Sequence, residues 1–561
     1  MVAFFDCPAS SWGLSTLAIQ PSAQPLTSNQ GLGALPSNQL KMNTRFNLNH
    51  KVALLGWSSV ICLFSSCATS VDLSQEGFQE SANPKALVQN APLAPNKNVY
   101  AFKSNSTSVP FDSSAHRDQQ LAWNTSPQKE WWNAFHSTSL DQLVKQALTH
   151  NPNLTAARST LAQAQANAAA TYGSLAFPNV NGQVGVNRQR ASQATTNVPG
   201  GSIFNLYNTS VNVSYTLDLF GANQFTIASA QAQAQFQTYQ WRAAELSLTG
   251  NVITAAIREA QLSQQILQTQ EILKAQEKQL QIMESQLKLG AINATAVLAQ
   301  ASLVSQTKSG LPTLQKSLEQ AHHQIAILCG EFPAQSNWTG LSLNELSIPK
   351  ELPVTLPSEL LRQRPDILAS EALMNQSIAA LGVAKANLYP QVNLSANAGS
   401  LATLSNNLFS TPWSFWTLST GLTAPIFNAG ALKAKVQAAK AGYETSFYGY
   451  KGTVLGAFQN VADSLAAIEF DTQSYQQQSA NEQLAKDSLA IAQKQYELGA
   501  INFMVLLDAQ RNYAQAKIGL INAQANRLAN TVALYQSMGG ATWMTPITSE
   551  SKAAEKLAQL Q

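Results

Sequence analysis

The pentapeptide Leu-Gly-Ala-Ile-Asn stands at 289–293 and again at 498–502, so that Gly290 and Gly499 lie 209 residues apart. The identity marks a longer repeat. "THNPNLTAARSTLAQAQANAAATYGSLAFPNV" (149–180) corresponds to "RQRPDILASEALMNQSIAALGVAKANLYPQV" (362–392), and "LDLFGANQFTIASAQAQA" (217–234) to "APIFNAGALKAKVQAAKA" (424–441). A period this long is a duplicated half-domain and not a solenoid. Whatever one copy builds, the chain builds twice.

Each copy opens with a signalled helix start. Asn151 can cap and Pro152 suits the first helical position, while Arg364-Pro365-Asp366 repeats the proline and adds an acid to the first turn. These Ala/Gln-rich helices are expected to end before Pro178 and Pro390. The period then changes to two. In 209–219, Thr209, Val211, Val213, Tyr215, Leu217 and Leu219 alternate with Ser210, Asn212, Ser214, Thr216 and Asp218. In 416–426, Trp416, Leu418, Leu422, Ala424 and Ile426 do the same, and shorter alternations at 180–188 and 392–398 make a pair of strands per copy. Alternation of this kind over about ten residues fits a membrane barrel strand or a half-buried soluble sheet equally well.

The charges separate those readings. No charged residue occurs between Lys385 and Lys433, and the frequent Asn, Ser and Thr there exclude a spanning helix. The links 189–206 and 399–414, rich in Gly, Ser, Asn and Thr, are expected to be external loops. Long helical stretches follow at 222–289 and 431–498. Ile266, Leu273, Leu280 and Leu287 recur every seven residues, as do Leu484, Ile491 and Leu498, which implies coiled-coil packing. About 65 helical residues would run roughly 100 Å. Gly290 and Gly499 end these outgoing helices, so LGAIN is the far tip of a helical hairpin. Four strands cannot close a barrel, for which about eight are needed, and open strand edges do not survive in lipid. The pore must therefore be shared between chains.

Near the N-terminus, "MNTRFNLNHKVALLGWSSVICLFSSCATS" from Met42 has basic residues, an apolar run over 52–64 and small residues ending at Cys67. This is a signal-peptide pattern, too short for a span. Its end resembles a bacterial lipobox with Cys67 as the acylated residue, although Phe64 occupies the position where Leu is usual. Residues 1–41 read as an over-long start, 42–66 as the signal and 67–122 as a lipidated tether. The two repeats are assigned 123–340 and 341–540, leaving 541–561 as a tail. Order is expected to begin near "WWNAF" (131–135), and Cys329 to be a buried free thiol.

The segments "WWNAF", "YTLDLFG" (215–221), "LPSELLRQRPDILASE" (356–371), "GVAKANLYPQV" (382–392), "PIFNAG" (425–430) and "LLDAQR" (506–511) carry a resemblance. In order and spacing the chain resembles the outer-membrane efflux proteins of the TolC type, in the lipoprotein branch that includes OprM- and NodT-like proteins. The resemblance implies a mixed α and β membrane protein, with four membrane strands and long periplasmic coiled-coil helices per chain. It further implies a homotrimer sharing one twelve-stranded barrel and a helical tunnel, embedded in outer-membrane lipid. The partners implied are a periplasmic membrane-fusion adaptor and an inner-membrane pump of the resistance-nodulation-division type. Docking falls to the tips Gly290, Ala291, Ile292 and Asn293 and Gly499, Ala500, Ile501 and Asn502. By the same resemblance Met504, Asp508 and Arg511 form the periplasmic gate. Asp508 supplies an acidic ring, Met504 an apolar one, and Arg511 pairs with a carboxylate or a neighbouring helix. The family's alternative duty is the exit duct of a type I protein-secretion system.

The net charge of +3 and charged fraction of 12% provide no basic block for nucleic acid. No Walker A, HExxH or GxSxG pattern occurs, so neither an enzyme nor a cofactor or metal site is expected. His322 and His323 are adjacent and point about 100° apart on a helix, reading as surface residues; Trp131 and Trp132 read as packing. For the anchor, mass spectrometry of the mature N-terminus is expected to find a lipid-modified Cys67 and no peptide from 1–66, with the modification lost in Cys67→Ser. An unmodified mature start elsewhere overturns that assignment.

Overall fold

The computed structural model describes residues 119–540, apart from 124, 126, 129, 193–201, 337 and 355–361. The signal segment, Cys67, nearly all of the tether and the 541–561 tail lie outside the described residues. In chain order the elements are β1 (Gln120–Trp123), α1 (Thr138–His150), α2 (Pro152–Ala176), β2 (Asn179–Ala191), β3 (Ser202–Leu217), α3 (Ala222–Lys288) and α4 (Ala294–Leu328). After them come β4 (Glu351–Val354), α5 (Pro365–Ala386), β5 (Gln391–Ala402), β6 (Ser414–Thr423), α6 (Ala431–Glu497) and α7 (Phe503–Ser537). The duplication is thus a repeated order of short helix, two strands, long helix and return helix.

The four longer strands form one antiparallel sheet in the order β2-β3-β5-β6. Its register joins like with like. Val180 pairs with Val213, Val213 with Ala396 and Ala396 with Leu418; on the other face Asn181, Asn212, Asn397 and Thr417 line up in the same way. One face of the sheet is therefore apolar and the other a carpet of Asn, Ser and Thr. The apolar face is bare, with Trp416 79% exposed. The strands overrun the segments expected to be loops, β2 to Ala191, β3 from Ser202 and β5 to Ala402, because the ladder continues wherever backbone partners persist, whatever the side chains. They also stop earlier at the other end, at Leu217 and Thr423 rather than 219 and 426. There Asp218 accepts the N–H of Gln224 at 2.8 Å and caps α3, whose N-cap residue, Gly221, has no side chain to do so.

The helices follow the same lateral order. Over one half of their length α3 and α6 are flanked by the short helices, giving α2, α3, α5, α6 in sequence; over the other half the return helices give α4, α3, α7, α6. Among the described residues α5 alone is long and apolar enough to cross a membrane. It packs instead between α3 and α6, burying Ile367, Met374 and Leu381. The seam expected along the first long helix is seated within the chain, with Ile266 and Leu273 buried. The second seam is not. Leu484, Ile491 and Leu498 all stand exposed, Leu484 at 69%, because α6 is the last helix in the row.

The main core gathers where the two half-lengths meet. Trp131 stacks on Tyr535 with ring centroids 5.0 Å apart, and Trp132 donates its indole N–H to Asp141 at 3.0 Å. They pack with Phe135, Leu140, Val252, Ile253, Ile325, Val461 and Leu528. The folded part begins earlier than its aromatic marker: Gln120–Trp123, of which 120–122 are assigned to the tether from sequence, pairs in parallel with β4. Cys329 is buried and free, and burial together with nearby Glu331 pushes its thiol up to about 11. His322 departs from the surface reading, since its Nε2 lies 3.2 Å from the buried Glu259 carboxylate, which also accepts the Leu341 N–H at 3.0 Å.

Both copies tie the start of the short helix to the end of the return helix, by different chemistry. Asn151 accepts the Leu154 N–H at 3.0 Å and donates its amide to the Leu328 carbonyl at 2.9 Å. At the matching place in copy two, buried Arg364 grips Asp366 at 2.7 Å and donates to the Ser537 carbonyl at 2.7 Å. Arg364→Ala leaves a buried carbonyl without its charged donor and opens space beside Gly539. The expected loss is about 2–3 kcal/mol, read as a lower thermal midpoint by circular dichroism. Arg364→Lys, keeping the charge but not the fork, is expected to recover part of it.

Candidate functional site

Every letter of the repeated pentapeptide has a structural task. Leu289 and Leu498 are the helix C-caps. Gly290 and Gly499 follow at φ +75° and +72°, a left-handed conformation costly to any residue with a Cβ. The next N–H closes the reverse turn, Ala291 on Gln286 and Ala500 on Gln495, at 2.9 and 2.8 Å. Ile292 and Ile501 pack inward, and Asn293 and Asn502 cap the return helices by accepting from Ala296 and Val505 at 3.0 and 3.2 Å. The tips differ in what surrounds this frame. Lys288 flanks the first and Glu497 the second, both exposed. Each tip holds its leucine out, Leu289 and Leu498 both at 84% exposure.

The two tips of one chain are packed together. Met283, Val297 and Leu303 from the first copy join Ala492, Phe503, Leu506, Leu507 and Ala509 from the second in one apolar cluster. With Leu506 and Leu507 each 1% exposed, the first turns of α7 are fixed in rotation. Met504, Asp508 and Arg511, at spacings of four and three, are consequently left together on the opposite face. All three are exposed. Neither Asp508 nor Arg511 has a hydrogen-bond or ion-pair partner among the described residues of its own chain, so the contact expected of Arg511 is not made among them. Val505 beside Met504 is exposed as well.

The matching turn of copy one is built otherwise. Ala299, which corresponds to Asp508, is half-buried against the apolar cluster, and Leu298 is turned outward instead. Further along, side chains that no sequence motif announces lock the hairpins. Lys517 pairs with Glu482 across α6 and α7 at 3.1 Å. Gln261 donates to Asn522 at 2.7 Å, joining α3 to α7, and buried Gln300 donates to the Gln276 carbonyl at 2.9 Å. A chain so poor in charge and rich in Gln carries several of its interhelical links on amides beside that ion pair, a composition visible in the sequence, though not which amide meets which.

The comparisons with known proteins agree with this geometry. The model of the family described as "Outer membrane efflux protein" matches residues 143–331 and 356–540, one segment in each copy. The chain belongs to the outer membrane efflux protein family. Among its relatives, the pyoverdine export outer membrane protein OpmQ of Pseudomonas aeruginosa is 30% identical over 447 residues, covering 78% of this chain and 93% of that one. The probable outer membrane lipoprotein SilC of Salmonella typhimurium is 27% identical over 418 residues, 73% and 87% of the respective chains. Among solved structures, the outer-membrane channel OprN superposes with a TM-score of 0.72 at 25% identity, covering 79% of this chain and 98% of its own. This chain is accordingly an efflux protein of the outer membrane, and the solved structure it superposes on is an outer-membrane channel.

Proposed function

We propose that three copies of this chain close into a single twelve-stranded barrel over a twelve-helix tunnel, and that this is the exit duct of a tripartite efflux system. The observation that carries the reading is the pair of open edges. β2 and β6 each have one unpaired side, and α6 ends the helical row with Leu484, Ile491 and Leu498 bare. Lipid does not tolerate unpaired backbone edges, and an exposed heptad seam seeks a helix. Joining β6 of one copy to β2 of the next satisfies both at once. The apolar face then meets lipid, and the Asn/Ser/Thr face lines an uncharged aqueous bore.

In this assembly the hairpin tips at 289–293 and 498–502 reach into the periplasm and dock the adaptor, through which a resistance-nodulation-division type pump delivers cargo. Met504, Asp508 and Arg511 form the narrow end. Three Asp508 carboxylates around an axis raise the local cation concentration and repel one another. Arg511, unpaired among the described residues of its own chain, finds its partner on a neighbouring one. A lipid on Cys67 supplements the barrel as an anchor. The neutral amides and hydroxyls along the bore face of the sheet suit passive conduction and leave the choice of cargo largely to the pump.

Native mass spectrometry in detergent is expected to find a trimer and no folded monomer; a stable monomeric pore overturns the assembly. In planar bilayers, Asp508→Ala is expected to move the reversal potential toward the non-selective value. It should also weaken block by trivalent cations on the order of tenfold, about 1.4 kcal/mol of lost attraction. Arg511→Ala raises the open fraction, and Ala299→Ser changes neither quantity. Unchanged selectivity and block in Asp508→Ala puts the constriction elsewhere.

A further inference from the structure

Where β6 hands over to α6, Ile426 and Phe427 stand 97% and 88% exposed. The matching place in copy one is covered. There Phe220, between β3 and α3, stacks on Tyr389 in the turn from α5 to β5, with ring centroids 4.8 Å and planes 15° apart. The stack prolongs the sheet. Leu217 pairs with Val392, and Phe220 lies three residues after the one and Tyr389 three before the other, so the rings oppose each other across the same ladder. Each linker thus leans on the next turn in the lateral order. For β6 the chain supplies no next turn, since β6 and α6 end both rows. In a ring of copies the next turn is that from α2 to β2 on a second chain. Its Phe177-Pro178 corresponds in the repeat to Tyr389-Pro390. Phe177 is half exposed, with Tyr172 edge-on to it at 5.8 Å.

We propose that Phe427 of one chain stacks on Phe177 of the next and fixes the register of the β6–β2 junction, an inference that rests on the barrel reading above. Alternation argues against lipid as the cover. Phe427 continues the row of Thr417 and Thr423, and Phe177 that of Asn179 and Asn181, which is the bore face of the sheet. Carried along the strands, the same opposition sets Leu422 of one chain against Gly182 of the next, and Leu418 against Val186, so apolar and polar rows stay in line. The junction needs a pin. No turn joins β6 to β2, both strands contain glycine, and a slip of two residues preserves sidedness. Rings two residues out of step lose their overlap, so the stack penalises that slip. A slip at every junction would change the stagger of the barrel and with it the bore. Copy two also has Asn428 and Ala429 between its phenylalanine and the capping Gly430, whereas Gly221 directly follows Phe220. The longer link is the one that has to reach another chain.

The test begins with Phe177→Cys/Phe427→Cys in the full-length protein, oxidised in outer-membrane fragments and run on a denaturing gel without reductant. Covalent trimer is expected as the dominant band, because directly opposed strand positions lie within disulfide reach. Phe427→Cys combined with Asn179→Cys, two residues out of step, should cross-link little. Phe220→Cys/Tyr389→Cys should close within the chain and run as monomer. Alanine variants read the ring contact without a cross-link. Phe177→Ala and Phe427→Ala are each expected to lower the temperature at which the trimer dissociates in SDS, and the double variant to lower it by less than the two losses added together. Absence of covalent trimer from the Phe177/Phe427 pair, a stronger cross-link from the Asn179 pair, or additive alanine losses each overturns the stack and leaves the barrel standing. A parent that forms no trimer by native mass spectrometry overturns the barrel reading and this inference together.

Discussion

Backbone hydrogen bonding at a sheet edge is the constraint from which the rest of this structure follows. In water an unpaired N–H or C=O is satisfied by solvent; in hydrocarbon it costs several kcal/mol. A sheet ordered β2-β3-β5-β6 with a bare apolar face has thirteen residues of edge on β2 and ten on β6. Such a chain cannot be the finished object in a membrane. The helices repeat the situation in a different currency, since α6 closes the row with an unburied seam where another helix fits. The two incomplete edges fall on the same sides of the chain because strands and helices share one lateral order. One rotation that completes the sheet also completes the helical wall.

Duplication explains how that common order arises, and divergence explains the function. The frame is copied closely: both long helices have 67 residues, both return helices 35, and both tips the same five residues. What the frame carries is not copied. Asn151 and Arg364 make the same tie with different side chains, Ala299 packs where Asp508 is exposed, and Lys288 stands where Glu497 does. Six tips around a trimer would share a backbone and alternate in charge, while only the second hairpin of each chain would contribute a carboxylate to the narrow end.

Much of the fold was legible because its signals are local. Helix caps, a glycine at positive φ, the switch from a helical period to one of two, and the absence of charge over 386–432 act within a few residues of themselves. For that reason the long helices were located to within a residue at each end. The misses were of another kind. Residues 120–122 read as tether because a four-residue strand is defined by its partner, Glu351–Val354, some 230 residues later in the chain. His322 read as surface because nothing near it in sequence announces Glu259. At the proposed gate, the family resemblance named Met504, Asp508 and Arg511, but their shared exposure depends on Leu506 and Leu507 being buried in a cluster drawn from both copies.

The sequence by itself determined the elements, their duplication, the turn geometry of LGAIN and the chemical sidedness of the strands. Each of these is a property of residues close together along the chain, where backbone dihedrals and side-chain periodicity act. Tertiary structure alone decided lateral order, and with it which seam is covered and which is left for a neighbour. The heptads of α3 and α6 look alike as strings, yet Ile266 is buried and Leu484 is exposed. The difference lies in the number of helices beside each one, and apolar burial depends on neighbours in space, which periodicity cannot count.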